Sequence, residues 1–186
     1  PLKPFGIRRV LATTMQAISG AGYPGVASMD ITANVIPFIG SEEEKMEQET
    51  QKILGDFSAD AVIPLAARVS AQCNRVPVVD GHLVAISVEL EKKVRREEVL
   101  EAICGWKGLP QQRSLPSAPA QPLIYMEQPD RPQPRRDAAR ENGMAVFVGR
   151  LRPCPVLDWK FLALAHNTIR GAAGAAVLNA ELMMSE

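Results

Sequence analysis

Apolar and β-branched residues fall in short runs along the chain, separated by glycine, proline and charged clusters. RRVLATTMQAI (residues 8–18) reads as a strand. SGAGYPG (19–25) follows as a glycine loop whose backbone turns tightly and can approach a ligand. NVIPF (34–38) is a short apolar piece broken by proline, hence a loop or edge strand. SEEEKMEQETQKIL (41–54) predicts a helix. Ser41 stands at the N-cap, Glu44 at the capping-box position, and Met46, Thr50, Ile53 and Leu54 mark the inner face. DAVIPLAARVSA predicts a strand with an irregularity at Pro64, RVPVV an extended piece, and LVAISVEL a further strand. RREEVLEAICGW (95–106) predicts a second helix, with Val99, Leu100 and Ile103 on its apolar face. Prolines crowd residues 110–134, which read as a long surface excursion. GMAVFVGRLRP (143–153) and DWKFLALAHN (158–167) predict the last strands. TIRGAAGAAVLNAELMM predicts a closing helix capped by Asn167 or Thr168. Strands and helices that do not strictly alternate imply an α+β fold, a mixed sheet with helices on one face.

Composition narrows the function classes. The 186 residues are 46% hydrophobic, enough for one sizeable core. The formal net charge is zero, so no basic excess exists to hold nucleic acid by phosphate neutralisation. No apolar run approaches the roughly 18 residues that read as a membrane span. The start, PLKPFGIRRV, lacks the apolar core of a secretory leader. Cys73, Cys104 and Cys154 are odd in number and far apart, the pattern of reduced thiols in a cytoplasmic protein. There is neither a GxGxxG after an early strand nor a P-loop, so the main binding domain for a dinucleotide is not among these residues. No metal-ligand spacing is evident either.

Four constellations could carry chemistry. Arg75 and His82 flank an Asp80-Gly81 turn. An arginine grips carboxylates bidentately, and an imidazole suits proton transfer near neutral pH. A locally satisfied histidine and a surface arginine fit the same spacing. Glu42 and Lys45 lie three apart on one helix face, as a site pair or as a solvated ion pair. Gln16 ends a strand beside Ser19 and Gly20. The closing helix is bare at 171–176, open to a flat ligand or to tight packing. None of the cysteines sits where a thiolate is evidently activated.

TTMQAISGAGYPGV, NVIPFIGSEEEKMEQETQKIL, CNRVPVVDGH, EQPDRPQPRRD and LALAHNTIRGAAGAAVLNAEL occur in an order that resembles the C-terminal catalytic and dimerisation domain of aspartate-semialdehyde dehydrogenases, closest to the archaeal and fungal branch. The resemblance spans nearly the whole chain. It implies a glyceraldehyde-3-phosphate-dehydrogenase-like C-terminal domain over residues 1–186, with 109–122 as a surface insertion. It also implies NADPH-dependent reduction of β-aspartyl phosphate to aspartate semialdehyde in amino-acid biosynthesis. By the same resemblance His82 is the acid-base catalyst and Gln16 orients the acyl group. Arg75 holds the substrate carboxylate, Glu42 its amino group, and Lys45 its phosphate or inorganic phosphate. Ser19, Gly20 and Asn179 touch NADP.

The family's nucleophilic cysteine and NADP-binding domain would precede Pro1, so the chain alone is expected to be inert. Its assembly is expected to be a homodimer or homotetramer through an apolar sheet face, with no membrane or nucleic-acid partner. The closing helix, which normally returns to the other domain, is expected to be exposed, displaced or packed in a substitute contact. Two rival readings remain: a malonyl-CoA reductase of the same architecture, and a non-catalytic dimerisation module.

Overall fold

The computed structural model describes residues 1–185. Its strands are β1 (Ile7–Gln16), β2 (Asp56–Ser58), β3 (Ala61–Ile63), β4 (Arg68–Arg75), β5 (His82–Leu90), β6 (Leu123–Met126), β7 (Val146–Pro153) and β8 (Trp159–Ala165). Its helices are α1 (Ser28–Ile31), α2 (Glu42–Ile53), α3 (Arg96–Cys104), α4 (Leu109–Gln112), α5 (Pro134–Asp137) and α6 (Gly174–Met184). Six strands form one sheet in the order β4-β1-β5-β8-β7-β6, while β2 and β3 pair as a separate hairpin. β1–β4 and β6–β7 run parallel and the other neighbours in the six-stranded sheet antiparallel, so that sheet is mixed.

Alternation decides the faces. Register aligns Val10, Ala12, Thr14 and Gln16 with Val69, Ala71, Cys73 and Arg75, and this set turns inward under α2. The larger core lies on the same side, where Val88, Val148, Leu151 and Trp159 meet Val99 and Ile103 of α3. On the opposite face Ala138, just past α5, packs with Phe147 of β7 and Leu164 of β8.

The free edge of β4 is closed by polar side chains instead of a seventh strand. Its outward N–H groups at Ala71 and Cys73 donate to Glu47 Oε1 and Glu43 Oε1, each at 2.9 Å. Arg75 N–H continues the row to Ile36 O at 2.9 Å, and Ile36 N–H returns to Arg75 O at 3.0 Å. Gln51 Nε2 reaches Ala67 O at 2.8 Å. Glu43, Glu47 and Gln51 stand one helical turn apart, so one stripe of α2 occupies the edge. Thr50 and Met46 beside it face the apolar side of the sheet, as expected, whereas Ile53 is largely exposed.

Several expectations are corrected. The first strand ends at Gln16, because residues 18–21 turn into a 3-10 coil whose Ile18 N–H bonds Val78 O. Residues 60–71 divide at Pro64 between β3 and β4. Ser41 occupies the N-cap position of α2 but has φ of 60°, and its hydroxyl makes no cap bond. The reach-back of a capping box is made at α3, where Glu98 accepts from Arg95 N–H at 2.8 Å.

The proline-rich excursion holds β6 and leads into α5. Its Asp137, with no exposed surface, is gripped by Arg131 and by Gln133 N–H at 2.7 Å. Burial alone would raise that carboxyl, and these donors bring it below its usual range. Residues 109–122 are not a free insertion. Leu115 is buried with Leu178 of α6, and Ser117 donates to Glu181 through both N–H and hydroxyl. The closing helix thus packs against residues 109–122, while Val177, Met183 and Met184 remain exposed.

Replacing Glu47 with alanine strands the Ala71 N–H, an N–H to carboxylate bond, and should cost about 1–2 kcal/mol. Glu44→Ala, at an exposed position on the same helix, should cost less than about 0.5 kcal/mol. Urea denaturation of the two variants side by side measures the difference.

Candidate functional site

The topology delivers four strand ends to one end of the sheet. β1 and β4 are parallel and finish in register at Gln16 and Arg75. β5 runs the other way and starts there with His82, which pairs with Ala165 at the end of β8. The glycine turn after β1, the start of α2 and residues 167–172 close around them. The result is an open cleft of about 730 Å³. Gln16, Ser19, Gly20, Glu42, Lys45, Arg75 and His82 all line it. Asn179, expected beside them, does not; it is exposed on α6, beyond the cleft.

Arg75 is the anchor. It is 6% exposed, its Nη1 donates to Ala17 O at 2.7 Å, and it has no salt bridge among the described residues. Burial lowers its pKa, and Glu42 partly offsets this. A cation buried without a carboxylate partner is costly unless an anion completes it. Glu42 accepts from Gln16 Nε2 at 3.2 Å and lies 3.7 Å from Lys45 Nζ. The cleft therefore presents two cations and one carboxylate, a net positive pocket with one negative spot.

His82 stands against the same wall. Ala17 N–H donates to its Nδ1 at 3.1 Å. A Cβ on Gly20 would lie 2.9 Å from Arg75 Nη1 and 2.9 Å from His82 Cε1. The glycine therefore lets the turn lie flat on both side chains. Burial, then the Arg75 guanidinium, push the imidazole down to about 4 despite the counter-pull of Glu42.

The residues matched by the family described as semialdehyde dehydrogenase, dimerisation domain, are 1–170. The chain belongs to that family. It is 50% identical over 186 residues to an aspartate-semialdehyde dehydrogenase of Archaeoglobus fulgidus, covering 100% of this chain and 53% of that protein. The corresponding Schizosaccharomyces pombe protein is 50% identical over 188 residues, covering 98% and 53%. The crystal structure of the Candida albicans aspartate-semialdehyde dehydrogenase with NADP superposes with a TM-score of 0.90 at 43% identity, covering 99% of this chain and 52% of that one. The chain spans about half the length of the curated relatives it matches. The α+β mixed sheet is the fold of this family's C-terminal domain.

One residue of the site escaped the sequence reading. Of the two expected caps of the closing segment Thr168 takes the N-cap position, while Asn167 accepts from Gly81 N–H at 2.9 Å and donates to Ser19 Oγ at 2.8 Å. It ties the residue before His82 to the glycine turn. The signal was the pairing of β5 with β8, which brings 81 and 167 together and is invisible in spacing alone. The cysteines stay outside the site chemistry. Cys73 is buried and its thiol is pushed up by that burial, and Cys154 follows β7 at the opposite end of the sheet.

Gly20→Ala should force Arg75 and His82 apart and cost about 1–3 kcal/mol, the range for overpacking a filled site. Chemical denaturation gives the loss. The His82 ring resonances, which should move with it, report the displacement.

Proposed function

We propose that the chain is the substrate-binding and dimer-forming half of an NADP-dependent aspartate-semialdehyde dehydrogenase. The observation that carries this reading is the buried, unpaired Arg75 facing Glu42, Lys45 and His82 in one cleft. An aspartyl substrate has the matching charges. Its α-carboxylate pairs bidentately with Arg75 and its ammonium with Glu42. Its acyl phosphate, or the inorganic phosphate that leaves, meets Lys45. Gln16 orients the acyl group and His82 supplies the imidazole at the reacting carbon. The carboxylate spot separates this substrate from malonyl-CoA, which has no ammonium for Glu42 to meet.

The glycine turn suits the nicotinamide end of a dinucleotide. It lies open at Gly22, where an added Cβ meets nothing within 4 Å, and its Ser19 hydroxyl is oriented by Asn167. Bound NADP would supply the hydride-transfer chemistry. The half of the relatives outside the matched segment would hold most of the dinucleotide and the nucleophile, so the 186-residue chain alone is inert. Inside the proposed reaction Ser19 and Gly20 hold one wall and Arg75 fixes the substrate. The burial of the Arg75–His82 pair behind Gly20 keeps water from that side.

The second role is assembly. The open sheet face carries Leu11, Thr13, Ala85 and Leu162, with Arg150, Arg152 and Lys160 at its rim. It is mixed, where an apolar face is expected. Small and aliphatic centres with a polar rim suit a two-fold contact between copies of the chain.

A phosphate-dependent NADP reduction assay with aspartate semialdehyde tests the catalytic reading. Activity should appear only when the chain is joined to its NADP-binding half. There Arg75→Lys, which forfeits the bidentate grip, should lower kcat/KM by about 10²-fold. Turnover of malonyl-CoA instead, or none with either substrate, would refute it. For assembly, Leu162→Glu should convert a dimer to a monomer in sedimentation velocity, with the far-ultraviolet spectrum unchanged.

A further inference from the structure

We propose that the cavity behind the Asp80-Gly81 turn binds a free α-amino acid with an aliphatic side chain. The cavity measures about 670 Å³ and shares no lining residue with the cleft among the described residues. The loop before β5 forms one wall, with Pro77, Val78, Val79 and Asp80. Residues 133–139, around α5, form the other, and His166, just past β8, joins them. The two walls meet at Gly81, where an added Cβ would lie 2.9 Å from Ala138 Cβ and 3.2 Å from Pro134 Cβ. None of the residues assigned to the dehydrogenase reaction lines this cavity, so the site stands apart from that reading.

His166 points to a ligand. It is 8% exposed, and its Nδ1 lies 3.2 Å from the Thr168 hydroxyl. Its Nε2 has no hydrogen-bond partner among the described residues. Only Thr14 Oγ1 is both sealed and unpartnered among their side-chain atoms, so Nε2 is open to the cavity that His166 lines. A nearly buried imidazole with one nitrogen open to a cavity leaves a hydrogen bond for what enters. With Nδ1 accepting from Thr168, the ring proton stands on Nε2, which donates. Arg135 supplies further donors. Its neighbours Arg131 and Arg140 are both committed to Asp137. Arg135 and Asp80 are in no ion pair among the described residues.

The charges select the ligand class. Arg135 can grip a carboxylate with two parallel bonds, and His166 Nε2 adds a third donor. Asp80 opposes a second anionic group and pairs with an ammonium. A carboxylate and an ammonium on one small molecule are the head of an α-amino acid. The rest of the lining is apolar: Val78, Pro134, Ala138 and Val79, which is 67% exposed. An aliphatic side chain covers that surface, and a few polar groups in an apolar lining is the composition of a small-molecule site. The ligand also lies against the support of the glycine turn, because Val78 O and Val79 O accept from Ile18 N–H at 2.8 Å and Ser19 N–H at 3.2 Å.

The test titrates the ¹⁵N-labelled 186-residue chain with L-leucine and follows the backbone amide resonances. Saturable shifts should centre on Val79, Arg135, Ala138, Ala139 and His166, while Gly40 and Lys45, which line the cleft, stay in place. No saturable shift, or shifts centred on the cleft, would overturn the proposal. Two analogues separate charge recognition from apolar filling. N-acetyl-L-leucine lacks the ammonium and L-leucinamide lacks the carboxylate. Each should bind about tenfold more weakly than L-leucine, the loss of one charge-assisted contact. Equal affinity for all three would overturn the amino-acid assignment. Arg135→Gln, at an exposed position, should weaken L-leucine by a similar factor with the dispersion of the spectrum unchanged. Unchanged affinity in that variant would also overturn it. None of these readouts involves turnover, so this site and the dehydrogenase assay fail independently.

Discussion

The outward row of N–H groups on β4 is the constraint from which the site follows. An edge strand must give its donors to something. Here Glu43 and Glu47 take two, and the backbone of Ile36 takes the third at Arg75. That choice fixes α2 against the sheet. It places Glu42, one residue ahead of the first anchoring carboxylate, over Gln16. The acidic crowd at the start of α2 therefore divides by position. Two carboxylates replace a neighbouring strand, one faces the cleft, and Glu44 and Glu49 are exposed. The charge run looked uniform because charge alone does not say which residues share the stripe facing β4.

Burial and charge then cooperate at the sheet end. Arg75 is both the last residue of the edge strand and the buried cation of the cleft. The same carbonyl-rich turn that receives its guanidinium at Ala17 O also sends Ala17 N–H to His82. One peptide segment thus organises a cation and an imidazole through opposite backbone polarities. The two side chains can sit together because one of them is uncharged.

The strands and the helices α2 and α3 were legible in the sequence because their apolar periods are regular. Arg75 and His82 are paired by their spacing around the Asp80-Gly81 turn, but that Gln16 joins them was legible only by resemblance. The three meet through register, parallel for β1–β4 and antiparallel for β5, which no local pattern encodes. Ser41 misled because a good cap residue at the right position carries a left-handed backbone. The proline-rich stretch misled in the other direction. Prolines at 122 and 134 bound short ordered pieces, and LIYM between them is too brief to show alternation, yet it pairs along β7. Asn167 was misplaced because its partners are 86 and 148 residues away in sequence.

The contact between α2 and β4 has a vernier in it. Four helical residues rise about 6.0 Å, while two strand residues span about 6.6 Å. Glu43 and Glu47 can therefore meet Cys73 and Ala71 in step, but the mismatch grows with every further turn. Gln51 already leaves the strand proper and reaches the loop carbonyl of Ala67. The two repeats are commensurate for only about two rungs, and those rungs lie at the cleft end. Positional tolerance is thus tightest beside Glu42 and Lys45 and loosens toward Ile53.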